Sequence, residues 1–115
     1  MTGRILVVDD DHDMVRTLSD ILTMKGWTVT GAHSGEEAVD LACSDGFSAI
    51  LMDIRMPGMD GVAAFKAIKQ CTAGMRVVLM TAHTAPESLA EARREGAHAV
   101  LTKPLDLSRL IALLE

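Results

Sequence analysis

The segment Ile5-Leu6-Val7-Val8-Asp9-Asp10-Asp11 decides how the rest of the chain is read. Four consecutive apolar residues, rich in β-branched side chains, are the pattern of a strand buried on both faces, as in parallel sheets covered by helices. The run stops at three acids, which puts carboxylates at the carboxyl end of that strand. Open parallel sheets bind their ligands there.

Four further short runs, 27–32, 49–52, 76–80 and 99–102, read as strands. Most are continuously apolar, whereas Trp27-Thr28-Val29-Thr30 alternates as an edge strand does. Between the runs, apolar residues recur at helical spacing: Met14, Leu18, Ile21 and Leu22; Ala38, Leu41 and Ala42; Phe65 and Ile68; Leu107, Leu110, Ile111 and Leu114. Ser34 with Glu37 and Thr84 with Glu87 have the spacing of capping boxes, and Asp60 is placed to cap a helix starting near Gly61. Gly26, Gly46 and Gly96 stand where C′ glycines end helices. Strict strand-helix alternation with short connections implies an α/β fold, a (βα)5 doubly wound five-stranded parallel sheet with right-handed crossovers.

The chain has 115 residues, is 49% apolar and 23% charged, and has a mean hydropathy of +0.24, which is a globular composition. Surface scaling at 12.3 kDa gives about 6,100 Å² exposed against about 17,800 Å² for the open chain, so a core forms without staples. A net charge of −5 with scattered basic residues lacks the footprint of direct nucleic-acid or anionic-membrane binding. No apolar run approaches the roughly 20 residues of a membrane span, and the N-terminus meets acids where a signal peptide needs apolar residues, so a cytoplasmic location is expected. Cys43 and Cys71 lack metal-binding or redox spacing and are expected to be buried or inert thiols.

The residues that end the strands are the chemical content of the chain. Strand 1 runs into Asp9-Asp10-Asp11, strand 3 into Asp53, strand 4 into Thr81 and strand 5 into Lys103-Pro104, while strand 2 runs into His33-Ser34. Asp11 or Asp13 is accounted for as a helix cap. Asp9, Asp10 and Asp53 are not, since carboxylates about 4 Å apart repel by about 4 kcal/mol at an effective dielectric of 20. Such a cluster calls for a cation. An all-oxygen donor set selects a hard ion, and phosphate chemistry with retained waters favours Mg²⁺ over Ca²⁺. Lys103 supplies a second positive charge, and the Thr81 hydroxyl is a donor suited to a phosphate oxygen.

In this order the motifs Leu6-Val7-Val8-Asp9-Asp10-Asp11, 52–61 (MDIRMPGMDG), Leu79-Met80-Thr81-Ala82, Gly96-Ala97 and Leu101-Thr102-Lys103-Pro104 resemble a response-regulator receiver domain, the phosphoacceptor module of two-component signalling, over essentially the whole chain. The resemblance implies a flavodoxin-like, chemotaxis-regulator-like fold with strand order 2-1-3-4-5 and one receiver domain over residues 1–115. It implies that Asp53 takes the phosphoryl group, that Asp10, Asp53 and the Arg55 carbonyl hold Mg²⁺ with Asp9 ordering a metal-bound water, and that Thr81 and Lys103 grip the phosphoryl oxygens. The implied donor is a sensor histidine kinase or a histidine phosphotransfer protein. The implied product is a phosphoprotein that promotes its own phosphorylation and dephosphorylation without being an enzyme in the ordinary sense.

One departure stands out: the family usually carries Tyr or Phe three residues before the lysine, and Val100 is there instead. Switching by burial of an aromatic ring is therefore excluded, leaving displacement of the loop and helix after Thr81. The surface of helix 4, strand 5 and helix 5 is the expected place for a homodimer or effector contact.

Other residues have plainer readings. The four histidines show no i, i+3 or i+4 pairing, so a zinc site is not expected. His83 and Arg55, each two residues past a site residue, are candidates to flank the pocket; the methionines are core filler. Two rival functions remain. A haloacid-dehalogenase-like aspartyl-phosphate phosphatase would use the D-x-D within Asp9-Asp10-Asp11, but only Asp106 follows the lysine where that family needs an acidic pair, and Asp53 would have no task. A receiver-like adaptor that is never phosphorylated would not need the complete acid, threonine and lysine set. A start at Met1 just before strand 1 favours an N-terminal receiver over an internal one.

Overall fold

The computed structural model describes residues 3–82 and 86–114. Strands and helices alternate as β1 (Arg4–Val8), α1 (His12–Met24), β2 (Thr28–Ala32), α2 (Gly35–Ser44), β3 (Ala49–Asp53), α3 (Gly61–Cys71), β4 (Arg76–Thr81), α4 (Pro86–Arg94), β5 (Ala99–Thr102) and α5 (Leu107–Leu114). The sheet is parallel throughout, in the order β2-β1-β3-β4-β5. β3 is central, and all five of its residues are buried. The exposed area is 6066 Å², in line with the scaling expectation.

The two-residue period of the strands sorts the core into two layers. Leu6, Val8, Ile50, Met52 and Leu79 point to one face, where Ala38, Ala42, Phe65, Ile68 and Ala92 of α2, α3 and α4 cover them. Ile5, Val7, Leu51, Val78 and Met80 point to the other, under Leu18 and Leu22 of α1 and Leu110 and Leu114 of α5. Val100 lies partly buried against the first layer.

Three helices start on the caps expected of them. Asp11 accepts from the Asp13 and Met14 amides (3.0 and 3.3 Å), Ser34 Oγ from Glu37 N (3.1 Å), and Asp60 from Ala63 N (2.8 Å). Glu37 does not close the expected box on Ser34: its carboxylate takes the His33 N–H, one residue earlier, at 2.7 Å. The Thr84 cap lies outside the described residues.

α1 and α4 end in paired bonds of the Schellman kind, Trp27 N to Leu22 O with Gly26 N to Thr23 O, and Ala97 N to Ala92 O with Gly96 N to Arg93 O. Gly26 and Gly96 have φ of 95° and 91°, as those turns require. Trp27, read as the start of β2, is thus spent on closing α1, and the strand begins at Thr28. Gly46 is a correction: α2 ends on an extended Asp45 cap and Gly46 is not left-handed, whereas Gly58 and Gly74 are, with φ of 76° and 78°.

The cysteines are a further correction. Cys43 and Cys71 are joined in a disulfide with Cα atoms 5.6 Å apart, and both residues are exposed. Their separation of 28 residues carries no local pairing signal. Packing of α2 beside α3 brings the two helix ends together.

Candidate functional site

β1, β3 and β4 deliver their last residues to one edge. Asp9 follows β1, and Asp53 and Thr81 are themselves the final ladder residues of β3 and β4, with Asp53 paired to Met80 and Thr81 to Thr102. The backbone fixes this edge tightly: Ile54 N donates to Met80 O and Lys103 N to Thr81 O, both at 2.8 Å, and Asp9 N to Ala32 O at 3.2 Å. Asp9, Asp53 and Thr81 are the buried polar side chains of the described residues, at 1%, 6% and 3% exposure.

The carboxylates converge. Single oxygens of Asp9, Asp10 and Asp53 lie within 4.8 Å of one another, with Asp10 exposed at the mouth. Lys103 enters from beyond β5 and its Nζ donates to Asp9 Oδ2 at 2.8 Å and to Asp53 Oδ2 at 3.1 Å. The other oxygens are held by backbone amides, Asp9 Oδ1 by Asp11 N (3.0 Å) and Asp53 Oδ1 by Arg55 N (3.2 Å). Lys103 precedes a cis peptide bond to Pro104.

Three acids against one lysine leave a formal −2. Burial, then the neighbouring Asp9 charge, raises the Asp53 pKa above its ordinary value, while the bonds from Lys103 and Arg55 pull it partly back. Burial works to lower the Lys103 pKa, but its bonds to Asp9 and Asp53 and their charges outweigh this and raise it. An all-carboxylate donor set with negative excess fits a hard divalent cation. It offers no nitrogen or sulfur to a softer metal.

The turn after β3 forms the wall of the site. Gly61 N donates to Ile54 O at 2.8 Å, and a Cβ on Gly61 would stand 2.3 Å from Asp53 O. Only glycine lets α3 start so close to the strand. Ile54, Arg55, Met56, Pro57 and Asp60 line an open cleft of about 500 Å³ along this turn. Gly35, at the start of α2, packs as closely on this turn, since a Cβ there would lie 2.5 Å from Met59 O.

The expected residues Asp9, Asp10, Asp53 and Lys103 therefore meet, with Thr81 on the adjoining strand end and Arg55 on the rim. His83 lies outside the described residues. Sequence spacing missed one pair: the His12 and His33 rings stack at 3.8 Å and 7°, and His33 Nδ1 lies 3.4 Å from Asp9 O. The only signal was that β1 and β2, whose ends precede these residues, are neighbours. Among the described residues the pair does not join the acidic cluster.

Comparison with known proteins agrees with this geometry. The sequence model of the family described as "Response regulator receiver domain" matches residues 5–115. The chain is 40% identical over 110 residues to a response regulator receiver protein of Anaeromyxobacter sp. (strain Fw109-5), covering 96% of this chain and 46% of that protein. It is 39% identical over 113 residues to the DNA-binding transcriptional regulator NtrC of Escherichia coli (strain K12), covering 98% of this chain and 24% of that one. The chain thus spans from about a quarter to about half the length of these relatives. Among solved structures, a CheY-like receiver domain protein from Methanospirillum hungatei JF-1 superposes with a TM-score of 0.93 at 27% identity, over 97% of this chain and 90% of that one. A Burkholderia pseudomallei response regulator, solved with a phosphorylated aspartic acid, calcium ion and citrate, superposes with a TM-score of 0.91 at 26% identity, over 98% of this chain and 66% of that one.

Proposed function

Because the chain belongs to the response regulator receiver domain family, we propose that residues 1–115 form one receiver domain in which Asp53 accepts a phosphoryl group from a phosphohistidine of a sensor kinase or phosphotransfer protein. The observation that carries this reading is the placement of Asp53. It ends the central strand, nearly buried, with Lys103 Nζ 3.1 Å from one oxygen and two further carboxylates beside it. The phosphorylated aspartic acid and calcium ion of the Burkholderia neighbour support the same assignment.

In the proposed reaction an Asp53 oxygen forms a bond to phosphorus while the phosphorus–nitrogen bond of the donor breaks, and the departing imidazole keeps the electron pair and takes a proton. Asp10, Asp53 and the Arg55 carbonyl would hold Mg²⁺ with Asp9 beside them, and the ion would supply charge neutralisation at the phosphoryl oxygens. Lys103 contributes the protein's own positive charge, and Thr81 donates a hydroxyl hydrogen bond to the product. Water later cleaves the acyl phosphate. The protein is a signalling switch whose turnover is limited to its own aspartate.

The acidic balance, the scattered bases and the absence, among the described residues, of a helix long and apolar enough to cross a membrane support a cytoplasmic receiver that makes no direct nucleic-acid contact. The α4-β5-α5 surface is the proposed output or homodimer face. Incubation with a small-molecule acyl phosphate and Mg²⁺ should add one phosphoryl mass, absent from Asp53→Asn. Label on Asp9 instead would establish the phosphatase chemistry.

A further inference from the structure

The Cys43–Cys71 disulfide lies outside everything the phosphoacceptor site uses. Cys43 sits in the last turn of α2 and Cys71 is the final residue of α3, at the ends of these helices remote from Asp53. At its other end α2 packs on the turn that leads into α3, through Gly35 and Met59. The cross-link therefore fixes the spread of the two helices that flank the turn beside the site.

Both cysteines are exposed, and the core beside them does not use them. Ala38, Ala42, Phe65 and Ile68 fill the α2 and α3 side of the core, and neither sulfur belongs to it. Ile68 O, 3.2 Å from Cys71 Sγ, is placed to accept the hydrogen bond of a free thiol. Both oxidation states are thus compatible with one fold. Exposed disulfides of this kind are the ones that exchange.

We propose that Cys43 and Cys71 form a reversible exchange site for a dithiol redox partner, by which the link between α2 and α3 is opened and closed. A partner thiolate attacks one exposed sulfur, a mixed disulfide forms, and the other cysteine leaves as a thiolate and takes a proton. The partner's second thiol then releases the first cysteine. The protein gains two electrons and two protons, and the partner becomes a disulfide. Both cysteines lie at helix C-termini, where the dipole disfavours a thiolate, so the attacking thiolate is the partner's. An oxidised dithiol or oxidised glutathione closes the bond by the reverse sequence.

Dithiothreitol is the probe, with alkylation of the native 115-residue protein by iodoacetamide read by mass. Protein held in oxidised glutathione should take no label, two labels after dithiothreitol, and none after return to oxidised glutathione. The melting temperature should fall by about 10 °C on reduction and recover on oxidation. The double variant Cys43→Ser, Cys71→Ser should melt with the reduced protein and ignore dithiothreitol. Two labels in the oxidised sample would overturn the proposal, as would a bond that yields to dithiothreitol only after urea unfolds the chain. An unchanged melting temperature would overturn the coupling of α2 to α3.

Discussion

Lys103 Nζ lies 3.1 Å from Asp53 Oδ2 although 50 residues separate them in sequence, because β5 and β3 flank β4 and their ends share one edge. The same ammonium also holds Asp9 at 2.8 Å. Lys103→Ala leaves two nearly buried carboxylates without this cation. The Lys103 side chain is 19% exposed, so the loss is expected at about 2–3 kcal/mol, below the 3–5 kcal/mol of a fully buried pair. Urea unfolding without divalent metal measures it, and Mg²⁺ should restore more stability to the variant than to the parent.

Asp53 itself should be a stability liability in the metal-free protein. Its pKa is raised by burial and by Asp9, so the fold favours the protonated acid, and ionising Asp53 costs stability as pH rises from the ordinary aspartate value of 3.8 through the raised one. Asp53→Asn is expected to melt higher than the parent at pH 7, with the gain vanishing below that ordinary value. Melting curves from pH 3 to 7 in chelator test this. A variant less stable at pH 7 would refute the repulsion argument.

What the sequence made legible and what it hid follow from where each interaction is encoded. Asp9, Asp53, Thr81 and Lys103 were readable because each ends or follows a strand, and parallel topology sends all strand ends to one edge. Asp60 and Ser34 were readable because a cap acts within three residues. Glu37 took the neighbouring amide instead because the choice between His33 N and Ser34 N depends on the path of the preceding strand. The Cys43–Cys71 bond and the His12–His33 stack were hidden, since both join elements whose spacing only tertiary packing sets. Gly46 and Gly74 show the same limit: composition marks a turn, while its handedness depends on how the chain re-enters the sheet.

Magnesium should bind before any phosphoryl transfer, since the cleft carries a formal −2. At 100 times Kd a ligand adds about 2.7 kcal/mol of stability, so the melting temperature is expected to rise by about 10 °C for a domain of this size. Asp10 is exposed, and Asp10→Ala should abolish the rise while leaving the metal-free melting temperature nearly unchanged. A full response in that variant would place the metal elsewhere.

Gly61→Ala probes the approach of α3 to β3. The added Cβ meets Asp53 O at 2.3 Å and Ile54 Cα at 2.8 Å, both backbone atoms that no rotamer change relieves. A loss of about 1–3 kcal/mol is expected, together with slower labelling by acyl phosphate as Asp53 shifts. Retained stability and rate would mean that α3 retreats freely.

The last prediction concerns α4. Among the described residues, Ala92 is its fully buried side chain, a small anchor. Lys66 reaches from α3 to Glu91, and Lys69 to the carboxylate and backbone carbonyl of Glu95 just past the helix. A helix whose described side chains bury one alanine fully and otherwise rely on surface ion pairs is cheap to displace. With Val100 partly buried against the first layer and no ring to bury, the proposed route for a change at Asp53 runs through Thr81 towards α4. Hydrogen exchange with Mg²⁺ and beryllium fluoride as the acyl-phosphate mimic should therefore change most over residues 81–96. Lys66→Ala with Lys69→Ala should speed exchange in α4 while leaving α2 unchanged, and Thr81→Ala should suppress the response while Asp53 still accepts phosphate. Changes confined to Asp53 and the 56–61 turn would reject α4 as the moving element and mark the domain as a phosphate sink.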